Sequence, residues 1–374
     1  MDGVDGGRVE QASERILLIR LSAVGDVVNT LPMLSLLREA RPDAFIGFVV
    51  EDKAADLLLG HPLVDRVHVF RRRNLRAALG TPIRGAGSMR AWRLLRDHRR
   101  DLREAHYDVA IDVQGNLKGA LHLVASGASR RVGFARGYGR EASHLFVNER
   151  IVPPTERPHR VDKFVSLLSA LGIAGTARHF VLPWSPAAAE AAERWLTERG
   201  LSPGGFVMLH PGTSERGSGK RWPVERFGEL ARRLAEMRPD APGRVGPGAA
   251  PLRTLVSWGP GEEELARAVV LASGENALLS PCTQSLLELA ELSRRAAAFV
   301  SADTGPMHLA AACGTPCVAL FGPKDPRIYR PWGEQHRVLA SPPERGGMIS
   351  ISVDDVLAAL APLLASARTR AAHP

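Results

Sequence analysis

Short runs of almost wholly apolar residues alternate along this chain with longer segments that are apolar on one side only. The runs cover residues 15–21, 45–50, 67–70, 108–113 and 132–134, and then 206–209, 254–258, 277–279, 297–300 and 317–321. A run that is apolar throughout is typical of a strand buried on both faces of a parallel sheet. We therefore predict a strand at each of these positions.

The segments between the runs have the periodicity and the end signals of helices. We predict helices over residues 27–40, 54–59, 89–105 and 159–171, then 187–199, 222–237, 262–272, 285–293 and 353–364. Strands alternating with helices in two similar halves predict an α/β fold of two doubly wound domains facing a central cleft. We predict a flexible tail at 1–14, domains at 15–175 and 176–350, and a C-terminal helix and tail at 351–374. Residues 238–252, rich in Pro, Gly and Ala, are predicted to form a loose surface loop.

The stretch from residue 299 to 320 predicts a strand, a turn, a helix and a second strand. Thr304 is placed to cap the helix, and Pro306 follows just inside its start, where a missing N–H costs little. The first turn of such a helix presents backbone N–H groups and the positive end of the helix dipole. The pattern favours a diphosphate site, although a helix turn without any ligand has the same sequence features.

Two further strand ends carry polar residues. The turn at 210–220 contains Thr213, Ser214 and Lys220, whose hydroxyls and ammonium group suit phosphate oxygens. The turn at 22–26 contains Asp26, which would repel a phosphate and is better suited to accept a proton from a hydroxyl. A solvated polar loop and an ordinary helix N-cap remain the simpler explanations of these two turns.

Two nucleotide-binding patterns are incomplete in this chain. Residues 137–142 fit G-x-G-x-x-A, but no clear strand precedes them. Gly219 and Lys220 end a glycine-containing loop, but Arg221 stands where a P-loop has a hydroxyl residue. We therefore exclude both a dinucleotide-dependent oxidoreductase and a P-loop NTPase.

Composition and charge narrow the class of protein. No apolar run approaches the roughly 18 residues of a membrane span, and residues 1–14 lack the apolar core of a signal peptide. The 3 cysteines do not suggest a disulfide framework or a metal site, so we predict a cytoplasmic protein. The net charge is +9, and residues 66–104 hold 12 arginines against 3 acidic residues. This region is predicted to attract phosphate-bearing partners, unless it is merely a solvated surface.

Six motifs occur in an order that resembles one family. They are Ser-Ala-Val-Gly-Asp-Val-Val-Asn-Thr-Leu-Pro from Ser22, His-Pro-Leu-Val-Asp-Arg-Val from His61, Asp-Val-Gln-Gly-Asn-Leu-Lys from Asp112, His-Pro-Gly-Thr from His210, Lys-Arg-Trp-Pro from Lys220, and Ala-Asp-Thr-Gly-Pro-Met-His-Leu-Ala-Ala-Ala from Ala302. From about residue 15 to 332 the chain resembles the heptosyltransferases of lipopolysaccharide inner-core synthesis, glycosyltransferase family 9. The Arg71–Arg73 cluster and Arg140-Glu141 look more like the members that add the first heptose.

The resemblance implies a GT-B fold of two Rossmann-like domains and assigns roles to individual residues. Asp26 matches the family's base, and Lys220 is implied in catalysis as well as in donor binding. The implied donor-binding residues are Thr213, Ser214, Lys220, Glu262 (or Glu263), Asp303, Thr304, Gly305 and His308. The acceptor side is expected at Arg71, Arg72, Arg73, Gln114, Lys118 and Arg140.

The activity implied is inverting transfer of heptose from ADP-heptose to the Kdo-lipid A inner core. The chain has no Asp-x-Asp motif, and the charge of Lys220 and the helix dipole could replace that of a metal, so we expect that neither a metal nor another cofactor is needed. The arginine-rich half is expected to face acceptor phosphates at the cytoplasmic side of the inner membrane. Three alternatives remain open: a family 9 transferase with another sugar or acceptor, a GT-B-fold sugar-nucleotide epimerase, and a nucleic-acid-binding protein that uses the arginine-rich region. Nucleic-acid binding would persist without Lys220 and Asp303, whereas donor binding would not, and we predict no nucleic-acid partner.

Overall fold

Each half of the chain builds its own parallel sheet. The computed structural model describes residues 13–79, 86–176, 179–213, 219–237 and 252–372. The strands of the first sheet are β1 (Arg15–Ile19), β2 (Phe45–Glu51), β3 (Arg66–Phe70), β4 (Val109–Asp112), β5 (Arg130–Phe134) and β6 (Glu149–Ile151). Those of the second are β7 (Phe206–His210), β8 (Arg253–Val256), β9 (Ala277–Leu279), β10 (Ala298–Ala302), β11 (Cys317–Phe321) and β12 (Arg337–Ala340).

The helices lie on both faces of the sheets. In the first half they are α1 (Val24–Val28), α2 (Leu31–Ala40), α3 (Arg72–Leu79), α4 (Ala86–Glu104), α5 (Leu117–Ser126) and α6 (Arg160–Val165). In the second half they are α7 (Pro186–Glu198), α8 (Val224–Glu236), α9 (Glu263–Ala272), α10 (Leu286–Arg295), α11 (Gly305–Ala312), α12 (Pro326–Tyr329) and α13 (Val353–Ala372). Short 3₁₀ turns occur at Ala55–Leu57, Ser143–Leu145, Ser166–Leu171, Pro343–Arg345 and Gly347–Ser350.

The two sheets have the same strand order. Among the described residues it is β3-β2-β1-β4-β5-β6 in the first sheet and β12-β11-β10-β7-β8-β9 in the second, with every pairing parallel. The order reverses beside β1 in one sheet and beside β7 in the other, and ligands of doubly wound sheets bind at such switch points. The structure therefore has the two doubly wound domains that the sequence pattern predicts, in agreement with the GT-B fold that the resemblance implies.

The central strands form the cores because they are apolar on both faces. Leu18 of β1 lies opposite Phe48 of β2 and Ile111 of β4, and all three side chains are fully buried. In the second half Val300 of β10 is buried between Leu209 and Val318 in the same way. These rigid strands fix the positions of the turns that follow them.

The C-terminal helix α13 packs against α8 and the second sheet, and Val356 and Leu360 are fully buried there. Within the described residues no single helix is long and apolar enough to cross a membrane. In the same described part of the chain, one pair of helices reaches that length and composition when taken together. The pair is Pro343–Ser350 and Val353–Ser366, and it is bent by 68° at the break between them.

The single helix predicted over residues 27–40 is wrong, because α1 and α2 are separate helices. The break falls at residues 29–30, and Pro32 then lies within the first two positions of α2. A proline there needs no N–H, whereas inside one continuous helix its ring would clash with the carbonyl of Val28. Asp26 consequently lies in the first turn of α1 and not in an open turn.

Two other predicted helices are shorter or tighter than expected. The helix predicted over 159–171 is α6 followed by the 3₁₀ turn Ser166–Leu171, and the one over 54–59 is the 3₁₀ turn Ala55–Leu57. In the former, the hydroxyls of Ser166 and Ser169 each donate to a carbonyl 3 residues earlier, at 2.7 Å in both cases, which fits the 3₁₀ period. The strands β6 and β12 at the sheet edges were not predicted, because half-exposed strands lack a continuous apolar run.

Helix α4 differs from the prediction in which side chains it buries. The sequence places Trp92, Leu95 and Leu102 on one apolar side of the helix. Leu102 is fully buried, but Trp92 is 56% and Leu95 47% exposed. The buried face is narrower than the apolar side of the helix, because it includes Ala91 and excludes Trp92.

Candidate active site

A cleft of about 820 Å³ lies between the two halves at the ends of β1, β7 and β10. Helices α1 and α11 meet there, and glycines permit their close approach. A Cβ added to Gly25 would be 2.7 Å from Cδ2 of His308 and 3.4 Å from the Cα of Gly305. The turn that carries Asp26 is therefore in direct contact with the first turn of α11.

The N-terminus of α11 lines this cleft through Thr304, Gly305 and Pro306. Thr304 is the N-cap, and its hydroxyl accepts from the backbone N–H of Met307 at 3.4 Å. The structure thus has the strand, cap and proline-started helix that the sequence predicts. A helix end of this kind favours a negatively charged group in the cleft.

Lys220 and Asp303 form an ion pair at the same helix end. The Nζ of Lys220 is 2.8 Å from Oδ2 of Asp303, and Nε2 of His308 is 3.6 Å from Oδ1. Burial alone would raise the pKa of Asp303, but His308 and Lys220 outweigh it and lower the pKa to about 2. Asp303 is therefore a permanent anion that holds Lys220 beside the first turn of α11.

The loop after β7 brings Thr213 to the cleft, where the residue is 5% exposed. Its hydroxyl accepts from Nε of Arg221 at 3.1 Å, so Arg221 holds this hydroxyl in place. Ser214, also predicted to bind the donor, lies outside the described residues. Arg221 was not predicted as a site residue, although it follows Lys220 directly.

Glu262 lies in the cleft beside His210 and Trp258, whereas Glu263 forms an ion pair with Arg267 on the surface of α9 at 2.6 Å. The Oε2 of Glu262 accepts from the N–H of Gly259 at 2.9 Å, and burial raises the pKa of this carboxyl. Of the two glutamates that the sequence leaves open, Glu262 is the one placed to contact a ligand.

Asp26 lies between two arginines that were not predicted as site residues. Its Oδ1 is 2.6 Å from Nη2 of Arg160, and its Oδ2 forms an ion pair with Arg20. Burial by itself would raise the pKa of Asp26, but Arg20, Arg160 and His308 together hold the pKa below its usual range. The side chain stays 20% exposed and lines the cleft, so the carboxylate is ionised and accessible.

The sequence gives a signal for Arg20 but none for Arg160. Arg20 interrupts the apolar run at residues 15–21 and is 2% exposed, and a charged residue at such a position signals a buried ion pair. Arg160 begins α6, more than 130 positions from Asp26, and its sequence context carries no comparable signal.

Of the six residues predicted for the acceptor side, three lie in or beside the cleft. Arg73 lines the cleft, with its Nε 3.8 Å from Oδ2 of Asp52. Arg72 and Lys118 both contact the buried Glu51, at 3.3 Å and 2.7 Å. Arg72 and Arg73 also line a smaller hollow of about 290 Å³ next to the cleft.

The remaining three predicted acceptor residues are not brought into the cleft. The amide oxygen of Gln114 accepts from the backbone N–H groups of Leu21 and Ser22, at 3.0 Å and 3.3 Å. Gln114 therefore supports the turn that carries Asp26. Arg71 and Arg140 are exposed, and the backbone N–H of Arg140 donates to the carbonyl of Gly115 at 2.8 Å.

The chain was compared with known proteins. Residues 95–350 match the model of Glycosyltransferase family 9 (heptosyltransferase). Lipopolysaccharide heptosyltransferase 1 of Pseudomonas aeruginosa is 31% identical over 328 residues, covering 87% of this chain and 84% of that protein. The protein of the same name from Escherichia coli K12 is 29% identical over 354 residues, covering 93% and 100%.

Solved structures give the same picture. E. coli heptosyltransferase WaaC with ADP aligns at a TM-score of 0.73 and 25% identity, covering 92% of this chain and 98% of that one. WaaC with ADP-2-deoxy-2-fluoro heptose aligns at a TM-score of 0.69, also at 25% identity, with the same coverage. The fold of a family 9 protein from Veillonella parvula aligns at 0.77.

The resemblance stated from the six sequence motifs is thus confirmed over most of the chain. The matched family carries out glycosyl transfer, so the epimerase alternative is the weaker one. The chain belongs to glycosyltransferase family 9, the heptosyltransferase family, and is a glycosyltransferase.

Proposed function

We propose that this protein transfers heptose from ADP-heptose to a Kdo-lipid A-type acceptor of lipopolysaccharide, with inversion at the anomeric carbon. The observation that carries the proposal is the cleft itself, where the Lys220–Asp303 pair and the end of α11 face the ionised Asp26 across a glycine contact. The names of the relatives support the heptose, and the complexes of WaaC support an ADP-linked donor.

The diphosphate of the donor is proposed to bind at the first turn of α11. The backbone N–H groups and dipole of this helix, the ammonium group of Lys220 and the hydroxyl of Thr213 all suit phosphate oxygens. Glu262 and Trp258 line the cleft farther along the second half, where the nucleoside is proposed to lie.

The reaction is proposed to be a single displacement. Asp26 takes the proton of the acceptor hydroxyl while that oxygen bonds to the anomeric carbon, and the bond from this carbon to the diphosphate oxygen breaks. ADP leaves with the bonding electron pair, and Lys220 and α11 stabilise the negative charge that develops. Because the oxygen enters opposite the departing diphosphate, the configuration inverts.

This charge stabilisation by Lys220 and α11 leads us to propose that the reaction needs no divalent metal. Among the described side chains, no group of three or more His, Cys, Asp or Glu is positioned to hold a metal ion. Turnover should then be unchanged by EDTA. A loss of activity that Mg²⁺ restores would contradict this proposal.

Incubation with ADP-heptose and Kdo-lipid A tests the proposed function. Mass spectrometry should show an acceptor that has gained one heptose residue, together with an equivalent amount of ADP. If only a different sugar nucleotide reacts, or only an acceptor that already carries heptose, the protein is a family 9 transferase of another specificity. We further propose that it works at the cytoplasmic face of the inner membrane, where this acceptor would be presented.

Replacement of Lys220 tests the donor site separately. Lys220→Ala should weaken ADP binding by about 10- to 100-fold, since a charge-assisted hydrogen bond contributes about 1.5–3 kcal/mol. Lys220→Arg, which keeps the charge, should restore part of the affinity. Isothermal titration with ADP is the measurement, and exposed Arg253→Ala is the control. Equal affinity in the parent and Lys220→Ala would move the diphosphate away from this helix end.

A further inference from the structure

Six large apolar side chains are exposed on two neighbouring helices of the first half. They are Met89, Trp92 and Leu95 of α4, at 52%, 56% and 47%, and Leu117, Leu121 and Val124 of α5, at 41%, 60% and 45% exposure. We call this surface the α4–α5 face. Isolated exposed apolar residues are ordinary, but several on adjacent helices indicate an interaction surface.

The two helices lie side by side and run in the same direction. Helix α4 connects β3 to β4 and α5 connects β4 to β5, so both cross the sheet in the same sense and lie on the same face of it. Nε2 of His98 is 2.9 Å from Nδ1 of His122, and the side chain of Arg103 lies 3.7 Å from the Cβ position of Gly127. Residues 24 positions apart are therefore at the same level of the two helices.

This register places the apolar residues of both helices together. Trp92 and Leu95 precede His98 by 6 and 3 positions, and Leu117 and Leu121 precede His122 by 5 and 1. Both sets lie in the halves of the helices that begin at the carboxyl edge of the sheet, where the cleft opens. The α4–α5 face is thus on the acceptor side of the protein.

The same helices carry excess positive charge. Helix α4 contains six arginines and three acidic residues, a net charge of +3, and α5 adds Lys118. Two of the acidic residues pair with arginines of α4 itself, Asp97 with Arg96 at 3.1 Å and Glu104 with Arg100 at 3.5 Å. The third, Asp101, contacts Arg66 and His68 of β3.

Trp92 combines an exposed apolar side chain with a neighbouring positive charge. Its ring is exposed, and the guanidinium of Arg96 lies 5.1 Å from the ring centroid. An amphipathic side chain next to a cation is typical of residues at the boundary between lipid headgroups and acyl chains. A protein partner would match the apolar residues, but a row of arginines beside them is complementary to anionic headgroups.

We propose that the α4–α5 face docks on an anionic lipid bilayer, with Trp92, Leu95, Leu117 and Leu121 entering the headgroup region. The inference rests on the proposed function in one respect, since docking beside the cleft would present a lipid-linked acceptor to Asp26. The bilayer is recognised by apolar insertion together with arginine–phosphate contacts.

Cosedimentation with vesicles of phosphatidylethanolamine and phosphatidylglycerol tests the proposal. Trp92→Ser/Leu121→Ser should weaken vesicle binding by at least about tenfold, because two large apolar contacts are lost. Arg90→Gln/Arg93→Gln/Arg99→Gln should weaken it to a similar degree, and the parent should bind pure phosphatidylcholine weakly. Leu271→Ser, at a residue 79% exposed on α9, is the matched control and should bind like the parent.

Two further measurements make the result decisive. Quenching of tryptophan fluorescence by brominated lipids should fall in Trp92→Phe, and ADP affinity should be equal in all variants. Vesicle binding that survives in both multiple variants overturns the proposal. So does a parent that self-associates through this face, seen as a dimer in sedimentation equilibrium that the apolar variant loses.

Turnover distinguishes failure of this inference from failure of the proposed function. With an acceptor embedded in vesicles, the apolar variant should lose activity, whereas with a deacylated, water-soluble acceptor it should match the parent. A parent that transfers no heptose to either acceptor contradicts the proposed function and leaves the vesicle-binding result standing. Equal losses on both acceptors would show that the face acts on the cleft and not on the membrane.

Discussion

At the scale of single residues, the two guanidinium groups beside Asp26 set the protonation state in which the cleft receives an acceptor. With its pKa held below the usual range, Asp26 is ionised at neutral pH and has no proton to lose first. The same arginines make it a weaker base than an unpaired carboxylate. In the mechanism proposed above, Asp26 would therefore receive a proton late in the displacement, when the acceptor hydroxyl has become strongly acidic.

Asp26→Asn should lower kcat by about 10²–10⁴-fold, the range usual for loss of a general base. ADP affinity should change little, because the proposed donor contacts lie on the second half. The melting temperature should also fall, since Arg20 is 2% exposed and loses its carboxylate partner. Activity must therefore be measured below the transition of the variant, and a folded variant with the activity of the parent would remove Asp26 from the mechanism.

Replacement of Arg160 should move the pH dependence. In Arg160→Gln the burial of Asp26 is less well compensated, so the pKa of Asp26 rises and the base is protonated at higher pH. The acid limb of kcat/KM should shift upward relative to the parent. Arg157→Gln, at a side chain 71% exposed, should leave the profile unchanged. Asp112, whose pKa burial raises to about 7, is common to both variants and cannot produce the difference.

Some site residues could be predicted from the sequence around them, and others depend on contacts that form only in the fold. The positions of Thr304, Pro306 and Lys220 at the cleft were predictable, because helix caps, helix starts and a lysine after a strand end leave short sequence signals. Arg160 was not, because its contact with Asp26 depends on the packing of α6 against α2. Gln114 was assigned to the acceptor, since the sequence could not show that its amide supports the turn at Leu21.

At the scale of elements, the cleft depends on the contact between α1 and α11. Gly25 and Gly305 belong to different halves of the chain, and side chains there would hold the two helix starts apart. In the structure α11 occupies the space beside Gly25. The separation of α1 from α2 at Pro32 was missed because the apolar pattern continues across the break.

Gly25→Ala should reduce kcat/KM by about 10- to 100-fold, since a displacement of about 1 Å between reacting groups has this effect. The physical reason is the Cβ contact of 2.7 Å with His308, which forces the helices apart. Steady-state kinetics with donor and acceptor is the measurement. Gly219→Ala is the control, because a Cβ there meets no described atom within 4 Å. Unchanged kinetics in Gly25→Ala would mean that the halves move freely past this contact.

At the scale of the whole molecule, two sheets of the same strand order divide the chemistry between them. The second half supplies Lys220, Asp303 and the start of α11, where the diphosphate is proposed to bind, and the first half supplies Asp26 and the arginine-rich segment 66–104. Alternation of strands and helices was enough to predict this architecture, because parallel strands buried on both faces have an unmistakable apolar pattern. The sequence could not show which arginines of the arginine-rich segment are held in ion pairs. The contact of Arg72 with Glu51, for example, forms only when the chain is folded.

The arginines near the cleft together create a positive electrostatic field. Its effect on the acceptor can be tested without changing the arginines that pair with buried acidic residues. Arg71 and Arg73 are exposed, whereas Arg72 pairs with Glu51, which is 2% exposed, and should be left intact. Arg71→Glu/Arg73→Glu should raise the KM for a phosphorylated lipid acceptor by about tenfold or more, because each cation near an anionic surface contributes about 1 kcal/mol.

Arg232→Glu/Arg253→Glu makes the same change in net charge on the second half and should have a smaller effect. Added salt should reduce the difference between the two variants, since exposed charges are screened over about 10 Å at 0.1 M. An acceptor KM that is equal in both variants at low salt would assign the acceptor to other residues and make this cluster a solvated surface.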